Sequence, residues 1–257
     1  MAHWIRFEKD GNTNIGTMQD GVITVYEGDL FNHPQPSGDT VQLADVTVLT
    51  PCDPGKMICL WNNYHALATK MNSPVPQDPL FFLKASSSFL ATDQVIRRPS
   101  SYDGKVVYEG ELGIVIGCQC SEISEADAGD FIFGYTCIND VTAAEIISKD
   151  ATFAQWTRAK SFDTFGVFGP VIATDIDPMT LAIKTVLNGA ERQNYPVNDM
   201  IFPPHELISR LSYDMTLNPG DVIACGTSIG VGAMKEPSNT ISITIEGIGT
   251  LNNTFVQ

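Results

Sequence analysis

Basic residues are scarce in this chain. Lysine and arginine total 15 against 30 aspartates and glutamates, a formal net charge of −15. Phosphate backbones are held by clustered cations, so no nucleic-acid partner is expected. An anionic membrane surface is disfavoured on the same ground. Charged residues of both signs make up only 18% and hydrophobic ones 43%, which fits a packed domain and excludes a disordered or coiled-coil chain. Long apolar runs are missing too, so no membrane span is expected. None of the six cysteines (Cys52, Cys59, Cys118, Cys120, Cys137 and Cys225) forms a Cys-x-x-Cys pair. Cys118 and Cys120, in a strand-like stretch, have no histidine or second cysteine pair to complete a zinc site. The six read as buried thiols of a reducing compartment. Residues 1–10 already carry Arg6, Glu8, Lys9 and Asp10, too much charge for a secretory signal, so a cytoplasmic location is expected. No serine or cysteine nucleophile is expected, and Gly226 to Gly232 lacks the Gly-Lys-Ser/Thr of a phosphate loop.

The 257 residues suit one large domain, or one domain with a small appendage. Trp4–Glu8, Asn14–Met18 and Val22–Tyr26 read as short strands joined at Asp10-Gly11 and Asp20-Gly21, giving a small β domain over residues 1–50. A loop rich in Asn, Pro, Ser and Gly is expected from Asn32 to Thr40. A soft boundary near Pro51 leaves residues 51–257 as the larger, second domain. There, Ile58–Trp61, Phe81–Lys84, Phe131–Ile138, Val222–Cys225 and Ile241–Glu246 read as strands, and Val106–Gly117 as the longest. Helices are expected at His65–Met71, from Ser124, at Ala143–Ser148 and at Pro204–Leu211. Leu181–Leu187 runs into Asn188-Gly189, a hairpin signal. The class is mainly β with short helices (α+β), not an alternating β-α-β chain.

Tyr108-Glu109-Gly110-Glu111-Leu112 is the most informative stretch. Side chains alternate along a strand, so Glu109 and Glu111 are expected on one face. Two carboxylates so placed repel unless a cation neutralises them, and hard divalent ions prefer carboxylate oxygens. Asp140, just after a strand, is a third candidate ligand. On the residues alone, a solvated acidic strand face fits the pattern as well.

Over residues 56–251 the chain resembles the fumarylacetoacetate hydrolase family. The resemblance rests on six segments in order. They are Tyr108-Glu109-Gly110-Glu111-Leu112, Gly134-Tyr135-Thr136 through Asn139-Asp140-Val141, and Gln155-Trp156 through Lys160 to Asp163. Asp199-Met200-Ile201-Phe202, Pro219-Gly220-Asp221 through Gly226-Thr227, and Ile245-Glu246-Gly247-Ile248-Gly249 follow. It implies a mixed β-sandwich roll, a homodimer, and Mg²⁺ or Mn²⁺ held by Glu109, Glu111 and Asp140. The implied substrates are small 2-oxo and 2,4-dioxo acids, whose enolate a Lewis acid stabilises. The resemblance places Lys160 beside the metal and assigns Thr227 and Gly226 to a substrate carboxylate. It also puts Lys84 near the pocket. Hydrolytic C–C cleavage of an acylpyruvate from aromatic catabolism is the leading expectation. An isomerase, tautomerase or decarboxylase of a 2-oxo dicarboxylic acid is the alternative, and a metal-binding protein without turnover is a third reading.

The chain departs from that family at two places. Many members carry Asn-Tyr-x-x-His-x-x-Glu at the start of a lid helix, where His and Glu activate water. Here Asn63-Tyr64 is followed by Leu67 and Lys70 at those two positions. His65 remains as a lone candidate base, and Lys70 as a contact for a distal substrate carboxylate. Past Asp140, Ala144 and Ile147 stand where some hydrolases place Arg and Gln for substrate binding.

Overall fold

A computed structural model describes all 257 residues. The chain opens with an antiparallel meander of β1 (His3–Lys9), β2 (Asn12–Gln19), β3 (Val22–Glu27) and β4 (Gln35–Gln42). Asp10-Gly11 and Asp20-Gly21 link the first three strands with positive φ at both residues, the two-residue turn whose twist matches paired strands. The segment expected to be a loop is largely β4. Pro36 is tolerated because β4 lies at the sheet edge, and the register slips where Gly38 stands.

The meander, which ends at Gln42, is continuous with the larger sheet. β1 pairs antiparallel with Gly166–Ala173, so a single twelve-stranded sheet runs through both parts of the chain. Beyond Gly166–Ala173 come Ile132–Asp140, Gly110–Ile116, Val222–Ala224, Met57–Trp61 and, at the far edge, Leu80–Lys84. Gly110–Ile116 is buried throughout, which explains why every residue but Glu111 is apolar: both faces are covered. Leu112, Ile114 and Ile116 join the main core, whereas Val115 joins a smaller cluster with Met57, Ile138 and Phe168 on the opposite face.

A five-stranded sheet packs on the main-core face. Its order is Ala190–Pro196, Ala182–Leu187, Ser238–Ile245, Gly249–Val256, Val95–Arg97. Ile241, Ile243 and Ile245 point inward between polar neighbours, as their alternation predicts. Each such fully buried side chain contributes roughly 1.5–3 kcal/mol. Asn188-Gly189 turns the expected hairpin.

Helices are few: α1 (His65–Met71), α2 (Trp156–Lys160) and α3 (Pro204–Asp214, Pro at its first turn). None is long and apolar enough to cross a membrane. Two expected helices are only 3-10 turns, Ala128–Phe131 and Ala144–Ile146. The Ser124–Asp127 capping contacts do form, but no apolar stripe follows to extend the turn. Cys118 is exposed and Cys120 makes only an isolated bridge to Leu217, so the Cys-x-Cys stretch is not a strand; the other five thiols are buried and unbridged.

Candidate active site

The expected long strand Val106–Gly117 is broken at Glu109. Val106–Tyr108 belongs to a three-stranded sheet and Gly110–Ile116 to the large one. Glu109 is therefore a junction residue, not one of two acids on a continuous face. Antiparallel register brings the third acid in. Gly110 lies opposite Asn139, and the Asp140 N–H donates to the Glu109 carbonyl at 2.9 Å. Asp140 is the last residue of its strand and not beyond it. Carboxylate oxygens of Glu109, Glu111 and Asp140 lie within 4.8 Å of one another.

Two lysines neutralise part of this charge. Lys160, at the end of α2, places Nζ 2.6 Å from Asp140 Oδ2 and 3.0 Å from Glu109 Oε2. Lys84, at the end of Leu80–Lys84, donates to Asp140 Oδ1 and to the Val141 carbonyl. Both ammonium groups are buried. Desolvating an ion costs several kcal/mol unless partners compensate it. Burial alone would push Asp140 up, but Lys160 and then Lys84 outweigh it and hold its carboxyl below the usual range. Burial disfavours the Lys160 charge, yet Asp140, Glu109 and Glu111 together raise it above an ordinary lysine. Lys160 belongs chiefly to Asp140. Glu109 is left raised by burial, with Lys160 and the Thr142 hydroxyl (2.8 Å) pulling it back.

Glu111 is the least compensated acid. It is fully buried, and burial together with Asp140 and Glu109 drives its carboxyl well above the usual range. Its Oε2 accepts from the Gly226 N–H at 2.8 Å, but its Oε1 has no partner. An unpartnered buried oxygen costs about 1–3 kcal/mol, more if charged. Three carboxylates against two ammonium groups also leave one negative charge. A divalent cation answers both, and an all-oxygen donor set suits Mg²⁺ or Mn²⁺. The residues present fit such an ion.

Close packing fixes these groups. A Cβ on Gly110 would lie 2.2 Å from Thr185 Oγ1, so only glycine lets the peptide between the two glutamates approach the second sheet. Gly226 has φ +86°, and a Cβ there would press on the Leu60 carbonyl at 3.2 Å. Its N–H thereby reaches Glu111. Asn63 ties this loop to the root of α1: its Nδ2 donates to the Cys225 carbonyl at 2.9 Å and its Oδ1 accepts from Phe202 N–H at 2.9 Å. Asp199 Oδ2 accepts from the Ala66 N–H at 3.0 Å and so caps α1 from outside the helix. Beside Lys160 stands an aromatic wall. Phe82 has its ring centre 5.3 Å from Nζ and stacks on Trp156, which leans on Trp61.

The structure thus brings Glu109, Glu111, Asp140, Lys160, Lys84 and Gly226 together, with Thr227 one residue on. His65 and Lys70 stand on α1, outside this cluster of charges. Both are exposed on α1 and enter none of the ion pairs of the centre. Glu145, close in sequence, accepts from Tyr102 and the Lys105 N–H and tethers a surface loop. Against the expectation that the chain carries no serine-nucleophile pattern, Gly226-Thr227-Ser228-Ile229-Gly230 has the Gly-x-Ser-x-Gly spacing of a nucleophile elbow. No helix follows it, and Ser228 Oγ is buried without a partner, so the elbow's exposed strand-to-helix turn is absent. Thr142, Gln193, Tyr195 and Asp199 also went unassigned as site residues. Gln193 had a signal: a polar residue at an inward position of an alternating strand.

The sequence model described as Fumarylacetoacetate (FAA) hydrolase C-terminal matches residues 56–256. The chain belongs to that family. A second model, Rv2993c-like, N-terminal, matches residues 2–51. A Mycobacterium marinum structure described as 2-hydroxyhepta-2,4-diene-1,7-dioate isomerase is 37% identical with TM-score 0.91, over 100% of this chain and 98% of that one. Oxaloacetate tautomerase YisK of Bacillus subtilis is 37% identical over 208 residues, 77% of this chain and 68% of that protein. Fumarylpyruvate hydrolase from Pseudomonas aeruginosa, solved with Mn²⁺ and pyruvate, is 28% identical with TM-score 0.73, over 79% of this chain and 90% of that one. Relatives in one family therefore carry isomerase, tautomerase and hydrolase names. An enzyme acting on small acids is the common ground.

Proposed function

We propose that the chain is a divalent-cation-dependent enzyme that moves a proton beside the ketone of a small 2-oxo acid. It acts as an enol–keto tautomerase or isomerase of a 2-oxo dicarboxylic acid such as oxaloacetate. The observation that carries this reading is an asymmetry. The acid–lysine centre is complete, whereas Leu67 and Lys70 occupy the lid positions where a water-activating pair would stand. Proton relocation needs a stabilised enolate and no activated water.

Mg²⁺ or Mn²⁺ held by Glu109, Glu111 and Asp140 would supply Lewis acidity to the 2-oxo and carboxylate groups of the substrate. Lys160, kept protonated between two carboxylates, sets a fixed positive charge where the enolate oxygen gains negative charge. Lys84 neutralises Asp140 and holds it in place. Gly226 orients Glu111 through its N–H, and Thr227 offers a hydroxyl to a substrate carboxylate. The Phe82–Trp156–Trp61 wall limits water on the lysine side. His65, the first residue of α1, is the proton carrier in this scheme, and Lys70 receives a distal carboxylate. A homodimer belongs to the same proposal. Leu80, Phe81 and Leu83 are exposed on the unpaired edge of the large sheet, an apolar edge that a second copy would cover.

Hydrolytic cleavage of an acylpyruvate is the second reading, favoured by a histidine at the head of α1. The two part company on a direct assay. The enol of a 2-oxo dicarboxylate absorbs in the ultraviolet, and its decay is followed with wild type and Mg²⁺. The reading expects metal-dependent acceleration that Glu111→Gln abolishes. Decay at the enzyme-free rate for every 2-oxo acid enol tried would sink it.

A further inference from the structure

Gln193 is the most fully engaged buried side chain outside the acid–lysine group. It lies in Ala190–Pro196 of the five-stranded sheet and is 1% exposed. Its Oε1 accepts from the Gly110 N–H at 3.0 Å and from Thr185 Oγ1 at 2.9 Å. Its Nε2 donates to Thr227 Oγ1 at 2.9 Å and to the Ser228 carbonyl at 3.4 Å. A backbone N–H can only donate, so the orientation of this amide is settled by its partner. Thr227 Oγ1 must then accept from Gln193. Its single hydrogen goes to the Gly110 carbonyl, 3.0 Å away. The Tyr195 hydroxyl donates to that same carbonyl and stands 3.5 Å from Thr227 Oγ1.

Gly110 is the residue between Glu109 and Glu111, and its carbonyl has two donors for two lone pairs. One donor can leave without stranding a buried acceptor. The geometry points to Thr227 as a parked donor: its hydrogen rests on Gly110 in the free protein and turns to a substrate carboxylate oxygen on binding. Tyr195 keeps the Gly110 carbonyl satisfied during that exchange, and Gln193 keeps the threonine oxygen in place. Gln193 and Tyr195 are thus positioning residues for substrate binding, acting through Thr227. This inference rests on the 2-oxo acid reading above, which supplies the anionic oxygen.

The test is a double-mutant cycle between Tyr195→Phe and Thr227→Val, with Thr227→Ser as the rescue. Two quantities are read: the affinity for oxalate in the presence of Mg²⁺, by calorimetry, and KM and kcat for enol decay. Tyr195→Phe removes one oxygen and leaves the ring packed against Tyr64, whose centre is 5.0 Å away. It forces Thr227 to hold the Gly110 carbonyl alone. Oxalate affinity should weaken and KM should rise by about tenfold, the size of one neutral hydrogen bond, with kcat within about twofold. In the Thr227→Val background the same change should do almost nothing, and Thr227→Ser should restore most of the wild-type affinity. Gln193→Glu is the second handle. Its second carboxylate oxygen takes the Thr227 hydrogen permanently, so affinity should fall by at least as much. If Tyr195→Phe weakens oxalate binding equally with and without the threonine hydroxyl, or changes kcat alone, the parked-donor account is wrong while the function stands. If wild type with Mg²⁺ neither binds oxalate nor accelerates enol decay, the functional reading and this inference fall together.

Discussion

The centre around Asp140 and the helix that opens at His65 are built in opposite ways. In the centre every charged group but one has its partners, the positions are set by strand register and by two obligatory glycines, and nearly everything is buried. In α1 the root is pinned by Asn63 and Asp199, yet the side chains that would do chemistry are exposed and unpaired. A rigid charged centre can stabilise an enolate without help from the lid. Activating a water needs a base that is itself oriented by a third group, and His65 has none. On the function proposed above, the energetically demanding work falls to the centre and only a modest proton transfer to α1.

Breaking the centre should have the largest effect. Glu111→Gln keeps shape but removes a carboxylate, so calorimetry should find Mn²⁺ affinity down by about a hundredfold or more and turnover down by at least about 10³-fold. Retained Mn²⁺ affinity would remove Glu111 from the ligand set. Lys160→Met follows. It deletes the fixed positive charge, and kcat should fall about 10²–10³-fold. Stability should drop by about 3–5 kcal/mol in urea titration, because Glu109 keeps a buried charge without a cation. A kcat within tenfold of wild type would make Lys160 structural.

The lid should respond less. His65→Ala should slow enol decay by about 10²-fold, the low end for a general acid–base group. A null result would hand the proton to solvent.

Stability against pH sharpens the same comparison. Glu109 and Glu111 have folded-state values raised above ordinary carboxylates. From about pH 4 upward the folded protein therefore binds more protons than the unfolded chain, and stability falls as pH rises through that window. Asp140, held below its ordinary value, contributes stability that is lost only as pH drops below about 3.9. The Tm without metal should be higher at pH 5 than at pH 7.5, and Glu111→Gln should narrow the gap. Saturating Mn²⁺ should reverse the order, since binding needs the deprotonated acids. An unchanged gap in the variant would assign the effect to net charge alone.

The smallest change is expected from Lys70→Glu. An exposed α1 substitution should shift stability by less than about 0.5 kcal/mol, and KM should change only for a substrate with a distal carboxylate.

How far the residues alone reveal this molecule differs between its parts. The hairpins at Asp10-Gly11, Asp20-Gly21 and Asn188-Gly189 were readable because positive-φ turns demand particular residue types. α1 was readable from its run between Tyr64 and the proline-rich stretch that follows. β4 was not, since its Pro and Gly resemble a loop and only its edge position makes them acceptable. The break at Glu109 was hidden because a chain that passes from one sheet to another keeps the local look of one strand. In the candidate site, Glu109, Glu111, Asp140 and Lys160 stand in compact motifs. Lys84, 56 positions from Asp140, and Gln193, 83 from Gly110, meet the site only through long-range sheet packing that spacing does not encode.

The central claim is enolate chemistry without hydrolysis, and proton NMR in D₂O with Mg²⁺ tests it most directly. Oxaloacetate and a 2,4-dioxo acid are each followed with enzyme and without. The account predicts deuterium entering the carbon beside the ketone of oxaloacetate well above the enzyme-free rate, with the 2,4-dioxo acid left uncleaved. Rapid conversion of the 2,4-dioxo acid into two carboxylic acids, with no enhanced exchange in oxaloacetate, would contradict it and make the chain a C–C hydrolase that works without the lid pair.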